Sequence, residues 1–382
     1  MSHLPPELIE AILEDVPESS LPACSLTAMA FVVASQRRLF RRMTLSDLPA
    51  YERVVRLLDA SPHLAQYVRA LSLVIGGIPK ESTLMKSIIL PLTKLERLSI
   101  YGGQKVPLPQ NTWLIDVLQR TNIKHLALED LLDVSSSLIA QAFSSCDGVL
   151  LSDIALSDNS LDAFPAHGLG AITQFDVLED PSHDILTFVL DPKWVGSLRR
   201  LRRLSLTIRG LCKSFRVPAP KELLVACSLT LEHLTIRFST PPGQLPMLPA
   251  LRILEIRLHS SLIKNASVLL AISDSIRSSP HLEVLILSLE EHRRGLDPWP
   301  ERGLLAWAAL DSAFVNPDNT HLREIHFCLR WVEAKKFTEF VAFIQANFPR
   351  TFEAGMMKAS HCAAHEDPMD RLRRYTMEGY YP

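Results

Sequence analysis

The side chains in this sequence that could bind another molecule lie at alternate positions of short apolar stretches. Arg203, His233, Arg237 and Arg257 occupy such positions in three successive stretches. Since an arginine fork pairs well with carboxylate or phosphate, the spacing predicts a basic strip that binds an acidic or phosphorylated segment of a substrate protein. The alternative is the solvated polar face of a sheet, with Glu255 neutralising part of the charge. The same reasoning adds three further positions to the predicted substrate-binding surface: Arg97, Tyr101 and His125.

No pattern in the sequence predicts catalysis. The glycine-rich phosphate loops, the H-E-x-x-H zinc motif and the G-x-S-x-G nucleophile motif are all missing from it. The one tight group of metal-type side chains is His361, Cys362 and His365, which has no obvious fourth ligand at a suitable spacing. We therefore expect neither an enzyme nor a cofactor, and no metal site.

The elements that position these polar residues are copies of an L-x-x-L-x-L pattern, clearest at Leu201, Leu204 and Leu206. Most copies follow one another at or close to the ~20–29 residue period of leucine-rich repeats. The first positions of the ten copies are Val68, Leu95, Ile123, Leu151, Ile172, Leu201, Leu231, Leu251, Leu282 and Leu322. Scattered leucines in an ordinary globular chain are the alternative, which a series this long and ordered disfavours.

The last three positions of each copy alternate apolar, polar and apolar, as in a strand with one buried face. A helix-like stretch usually separates one strand from the next, which predicts parallel strands with helices on one side. The fold class predicted is an α/β solenoid, an irregular arc of leucine-rich repeats with strands on its concave face. A short edge strand over residues 353–358 and a helix over 367–376 are expected to close it.

The bulk composition favours a folded protein of a reducing compartment. The 382 residues are 47% hydrophobic and 21% charged, and the formal net charge is -2. This charge predicts neither nucleic-acid nor membrane binding. The six cysteines include no C-x-x-C pair and no disulfide framework. With no basic leader and no apolar stretch long enough for a membrane span, a cytoplasmic or nuclear location is expected.

Residues 4–45 differ from the rest of the chain and predict three short helices. Pro5 and Pro6 suit the first turn of a helix that Pro17 ends. A second helix is expected to run from residue 21 through Phe31, and a third over the basic residues 37–42. Residues 43–45 predict a brief extended segment.

This region resembles the F-box of fungal proteins that combine an F-box with irregular leucine-rich repeats. The resemblance rests on L-P-P-E-L-I-E-A-I-L-E at residues 4–14, L-P-A-C-S-L at 21–26 and R-R-L-F-R-R-M-T-L at 37–45. It implies that the helices dock on a Skp-family adaptor, and through it on a cullin, while the repeats hold a substrate protein for ubiquitination. The adaptor-binding residues that the resemblance and the apolar pattern indicate are Leu4, Pro5, Leu8, Ile9, Ile12, Leu13, Leu21, Leu26 and Phe31.

Four segments follow from this interpretation. They are an F-box at residues 1–45, a connecting helix at 46–66, a repeat solenoid at 67–350 and a C-terminal cap and tail at 351–382. An alternative remains open, in which the N-terminal helices only cap the solenoid and the protein is a leucine-rich repeat scaffold with no ligase role.

Overall fold

The computed structural model describes most of the chain, in eleven ranges. These are residues 4–77, 79–108, 112–157, 172–178, 184–208, 219–238, 245–259, 266–290, 304–316, 321–330 and 334–362. The chain divides into two compact units, Met1–Gly170 and Ala171–Pro382. The helix predicted over residues 367–376 lies outside the described residues.

Within the described ranges, the N-terminal unit carries five parallel strands that pair in chain order. They are β1 (Arg42–Leu45), β2 (Ala70–Ile75), β3 (Arg97–Pro107), β4 (His125–Leu132) and β5 (Gly148–Ser152). Its helices are α1 (Pro6–Glu14), α2 (Leu21–Thr27), α3 (Met29–Phe40), α4 (Leu48–Ala60), α5 (Pro79–Ile89), α6 (Thr112–Arg120) and α7 (Ser136–Ser145). A 3₁₀ helix over Pro62–Tyr67 leads into β2.

The described residues of the second unit repeat the arrangement with seven parallel strands. They are β6 (Gln174–Leu178), β7 (Arg203–Ile208), β8 (His233–Phe238), β9 (Ile253–His259), β10 (Val284–Glu290), β11 (Glu324–Arg330) and β12 (Met357–Cys362). Its helices are α8 (Asp184–Val189), α9 (Pro192–Val195), α10 (Ala219–Cys227), α11 (Ala266–Arg277), α12 (Leu304–Phe314), α13 (Ala334–Asn347) and α14 (Pro349–Glu353). Each unit is therefore an α/β repeat of the solenoid type, as the sequence predicts.

The three apolar positions of each copy form the core. Leu201, Leu204 and Leu206 are at most 2% exposed, and their counterparts on neighbouring strands are buried in the same way. Leu204 aligns with Leu234 and Leu206 with Ile236, so the buried side chains stack in columns across the sheet. Burial of one such side chain stabilises the fold by about 1.5–3 kcal/mol before the entropy cost. These columns of buried side chains therefore hold neighbouring repeats together.

The fourth predicted copy is placed wrongly by the sequence. The strand is Gly148–Ser152, with Val149 beside Leu126 and Leu151 beside Leu128, so its first apolar position is Cys146 and not Leu151. Cys146 is 4% exposed, and burial raises the pKa of its thiol to about 12. A buried neutral thiol packs as a small apolar group, which a search for leucine-type residues overlooks.

Two further copies of the pattern lie at the ends of the series. Met43 of β1 pairs with Leu71, so the extended segment predicted at residues 43–45 is a strand of the sheet. At the other end, Met357 of β12 pairs with Ile325, which moves the predicted edge strand from residues 353–358 to Met357–Cys362. Both copies were missed because methionine and alanine replace leucine in them.

The second and third predicted helices are also wrong in their bounds. The second helix does not continue to Phe31, because Ala28 is extended, with φ −157° and ψ 146°, and separates α2 from α3. The third helix begins at Met29 rather than near residue 37. The break lets the side chains of both helices reach one small core, where Phe31 packs against buried Leu21.

The cysteine prediction needs one correction. Cys146 and Cys227 are free and buried, and Cys24 is free and half-buried. Cys328 on β11 is disulfide-bonded, although the spacing of the cysteines predicts no disulfide framework.

A buried carboxylate on α12 caps the short helix α14. Asp311 is 3% exposed. Its oxygens accept hydrogen bonds from the backbone N–H groups of Arg350 and Thr351 at 3.2 and 3.0 Å, and from the Thr351 hydroxyl at 2.6 Å. These two N–H groups belong to the first turn of α14, where no partner exists within the helix.

Replacing Asp311 by alanine should lower the free energy of unfolding by about 2–4 kcal/mol, because buried donors lose their acceptor. Chemical denaturation followed by circular dichroism measures the change. Asp274 is the matched control, since its carboxylate pairs with Arg277 on the surface of α11 at 3.3 Å. Asp274→Ala should cost less than about 0.5 kcal/mol. Equal losses in the two variants would refute the capping role.

Candidate functional site

The first candidate site is an apolar surface on the three N-terminal helices. The small core of this region consists of Ile9, Leu13 and Leu21, which are at most 5% exposed. The helices nevertheless leave further large apolar side chains in solvent. These are Leu4 at 50%, Leu8 at 51%, Ile12 at 49%, Leu26 at 87%, Met29 at 88% and Val33 at 50% exposed. Half of the exposed large apolar residues in the described chain therefore fall in its first 33 residues.

The predicted adaptor-binding residues divide between core and surface. Leu4, Pro5, Leu8, Ile12 and Leu26 are exposed. Ile9, Leu13 and Leu21 are buried, and Phe31 is partly buried against them. The last four residues hold the helices together instead of offering a surface.

Helical geometry explains the division in α1. At 100° per residue, Leu8 and Ile12 project on one side, while Ile9 and Leu13 project toward α3. The ion pair between Arg37 of α3 and Glu10 of α1 joins the two helices.

Sequence reasoning missed Met29 and Val33 as surface residues. Both are on α3, four residues apart, so they lie on one face of the helix. The four-residue spacing of Met29 and Val33 is visible in the sequence. It indicates a shared helix face only if α3 begins at Met29 and not near residue 37.

The second candidate site is the uncovered face of the strands in the second unit. Side chains on this face lie in rows across neighbouring strands, about 4.8 Å apart. Arg203 aligns with His233 in one row, and Arg237 aligns with Arg257 in another. A middle row, which contains Glu255, lies between the two pairs, two residues along the strand from each of them.

The predicted basic strip is therefore interrupted at its centre. Glu255 has a side chain only 12% exposed, and one of its oxygens accepts a hydrogen bond from Arg257 Nε at 2.8 Å. The hydroxyls of Thr235 and Ser288 also donate to the carboxylate, each at 3.3 Å. The charge of Arg257 is thus balanced by Glu255, and the centre of this face is a fixed polar network.

His233 lies beside this network, and the surrounding charges affect the pKa of its ring. Burial lowers the pKa of His233 below its ordinary value, the Glu255 carboxylate opposes the shift, and the Arg203 charge adds to it. The His233 ring therefore stays neutral at neutral pH. Further along the face, His326 Nε2 lies 2.8 Å from the hydroxyl of Ser360, and Lys358 pairs with Glu324.

The remaining predicted substrate-binding residues lie on the uncovered face of the N-terminal unit. Arg97 aligns with His125, and Tyr101 aligns with Glu129. The first pair forms one row across β3 and β4, and the second pair forms another. Arg97 is exposed and the other two predicted residues are half-buried.

The described residues offer no arrangement for metal binding and no helix suited to a bilayer. No group of three or more His, Cys, Asp or Glu side chains is placed to hold a metal ion within the eleven ranges. His365 lies outside them. Among the helices described, none has the length and apolar character that crossing a membrane needs.

Glu255→Gln should lower the pKa of His233 further, because the substitution removes the carboxylate that favours the charged imidazole. NMR titration of the histidine ring protons measures the shift. Glu283→Gln is a matched control, as Glu283 pairs instead with Arg252 at 2.6 Å and should leave the His233 titration unchanged. A pKa of His233 that rises in Glu255→Gln would contradict the network.

The lowered pKa of His233 also predicts a pH dependence of stability. The folded state binds fewer protons than the unfolded state at pH values below the ordinary histidine pKa of 6.5. The stability contributed by neutral His233 should therefore be complete above that value and decline as the pH falls below it. Unfolding midpoints of the wild type and of His233→Asn, measured between pH 7.5 and 5.5, test this. The variant should lose less stability on acidification, and parallel curves would exclude the effect.

Comparison with known proteins adds little. No protein-family model matches the sequence, and no curated protein matches it. Among solved structures, the chain is similar to one from the crystal structure of the Rad7 and Elc1 complex in yeast, at 16% identity over 84% of this chain and 88% of that chain. The TM-score of this match is 0.38, too low for any transfer of fold or function.

Proposed function

We propose that this protein is a substrate-recognition subunit of a Skp–cullin–F-box ubiquitin ligase. Its N-terminal helices dock on a Skp-family adaptor, and its repeats bind the substrate protein. The chain itself carries no catalytic step, and it acts in the cytoplasm or nucleus. The observation that supports the proposal most directly is the exposed apolar surface formed by Leu4, Leu8, Ile12, Leu26, Met29 and Val33.

The physical argument concerns the cost of leaving these side chains in water. A segment of about 40 residues buries little core and is marginally stable by itself. Its exposed apolar side chains would each gain about 1.5–3 kcal/mol by burial against a partner, before the entropy cost of association. An apolar surface on a small helical layer is therefore the arrangement expected of a docking motif.

The alternative is a solenoid cap, and one observation favours it. The strand β1 follows α3 directly and pairs with β2, so the N-terminal helices are attached to the repeat sheet. A cap, however, needs a polar outer face to end the stack in solvent. The exposure of Leu8 and Ile12 at 51% and 49% is the opposite of that. We therefore prefer adaptor docking.

For the repeats, the uncovered strand face of the second unit supports the binding of a polar protein segment. Arg203 is exposed there and Arg237 is half-exposed, and both lie beside the fixed Glu255 network. A segment with carboxylate or phosphate groups would match the arginines. This assignment of the substrate surface is part of the same proposal.

A pull-down with a purified Skp-family adaptor tests the docking. The full chain should bind at micromolar affinity or better, and Leu8→Asp with Ile12→Asp should weaken binding at least tenfold, roughly 1.4 kcal/mol or more. Neither residue belongs to the buried core of the three helices, so the variant should stay folded by circular dichroism.

The matched control changes two apolar residues of similar exposure elsewhere. Val225 on α10 is 55% exposed and Leu270 on α11 is 52% exposed. Val225→Asp with Leu270→Asp should keep adaptor binding. If the folded wild type binds none of the adaptors, the scaffold alternative replaces the ligase proposal.

A further inference from the structure

A cleft of about 590 Å³ lies in the N-terminal unit, and the docking proposal does not use it. Its walls come from α1, α3, the 3₁₀ helix before β2, and the segments that lead into β2 and β3. The lining residues are Glu10, Leu13, Glu14, Ala34, Arg37, Arg38, Arg41, Gln66, Tyr67, Arg69, Lys94 and Glu96. The volume is in the range typical of sites for small molecules, about 300–1,000 Å³.

The charge of the cleft is positive, although the net charge of the protein is -2. Five of the lining side chains are cations and three are carboxylates, which leaves a local net charge of +2. Two of the cations are paired, Arg37 with Glu10 and Arg69 with Glu96. The positive charge of the cleft therefore resides mainly on the other three cations.

These three cations are Arg38, Arg41 and Lys94. Their side chains have no hydrogen-bond or ion-pair partner within the part of the chain that the structure describes. Arg38 is half-buried, and its Nη1 is shielded from solvent without an acceptor. The lack of partners for all three cations is the second observation, beside the charge, that points to an anionic ligand.

The cleft also has a wall for an uncharged part of a ligand. Leu13 is 2% exposed, Ala34 is half-buried, and the half-buried ring of Tyr67 packs edge-on against His63. A flat or apolar group can pack against these side chains while its anionic end reaches the arginines.

We propose that this cleft binds a small phosphate-bearing organic molecule. Arg38, Arg41 and Lys94 hold the phosphate, for which a doubly charged group is the best match to the net charge of +2. Tyr67 and Leu13 contact the organic part. A cleft of this volume accommodates a molecule such as a nucleoside monophosphate.

The site is independent of adaptor docking. On α1, Glu10 and Glu14 line the cleft, and at 100° per residue they project about 200° away from exposed Leu8 and Ile12. Ligand binding and adaptor binding therefore use opposite sides of one helix. Failure of either proposal leaves the other standing.

Calorimetric titration of the full chain tests the proposal, with adenosine 5′-monophosphate, inorganic phosphate and adenosine as probes. The monophosphate should bind most tightly, phosphate alone should bind more weakly, and adenosine should not bind. Raising the sodium chloride concentration from 50 to 300 mM should weaken binding of the monophosphate several-fold, because salt screens the attraction to the exposed cations Arg41 and Lys94.

Variants then locate the site. Arg38→Gln with Arg41→Gln should weaken binding of the monophosphate at least tenfold, since two charge-assisted contacts are lost. Arg53→Gln is the matched control, because Arg53 is exposed on α4 outside the cleft and its loss should leave binding unchanged. Circular dichroism verifies that each variant is folded.

Three results would overturn the proposal. The first is that the wild type binds neither the monophosphate nor phosphate at millimolar concentration, a result that does not depend on any variant. The second is that adenosine binds as tightly as its monophosphate, so that the phosphate is not recognised. The third is that only a phosphoserine peptide binds, which would make the cleft a peptide site.

Discussion

The parallel register of the strands is the constraint on which the rest of this structure depends. Each repeat exposes an apolar strand face that it cannot cover alone, so its stability comes from alignment with its neighbours. Leu204 beside Leu234 and Leu285 beside Ile325 show the same alignment at separate points of the second unit. A shift by one residue would turn every buried side chain into solvent. The register that stacks the leucines therefore also decides which polar side chains become neighbours.

The two units use this constraint with different chemistry on their uncovered strand faces. In the N-terminal unit, one row across β2, β3 and β4 consists of Ser72, Ser99 and Ala127, which are small and uncharged. The corresponding row in the second unit contains Thr235 and Glu255. Among these positions the charged residue is Glu255, whose buried carboxylate accepts hydrogen bonds from two hydroxyls and from Arg257. In the N-terminal unit, the exposed apolar side chains lie on the three helices instead.

The first helix shows how a short segment serves several purposes. Ile9 and Leu13 bury one side of α1 against α3, Leu8 and Ile12 remain in solvent, and Glu10 forms an ion pair with Arg37. Such a helix is apolar over more of its surface than its contact with α3 covers, and exposed apolar surface of this kind is typical of interaction sites. It is what we expect of a helix with partners on more than one side.

Sequence periodicity alone was enough to predict the α/β repeat, because apolar residues at alternate positions of a strand are visible without knowledge of their neighbours. It missed the copies of the pattern in which residues other than leucine, isoleucine or valine occupy the buried positions. At Cys146, Met43 and Met357 only the strand pairing gives the register, because cysteine and methionine fall outside the leucine-type pattern.

The binding surfaces were determined by the sequence only in part. The residue types of the apolar surface and of the charged strand face could be read directly, and so could their spacing along each element. The sequence could not distinguish Leu8 from Ile9, because both fit an apolar helix and only the packing of α3 decides which one is buried. Nor could it pair Glu255 with Ser288, which are 33 residues apart, or bring Arg38 and Lys94 to one cleft. Those contacts join residues distant in the chain, and they exist only after the repeats have stacked.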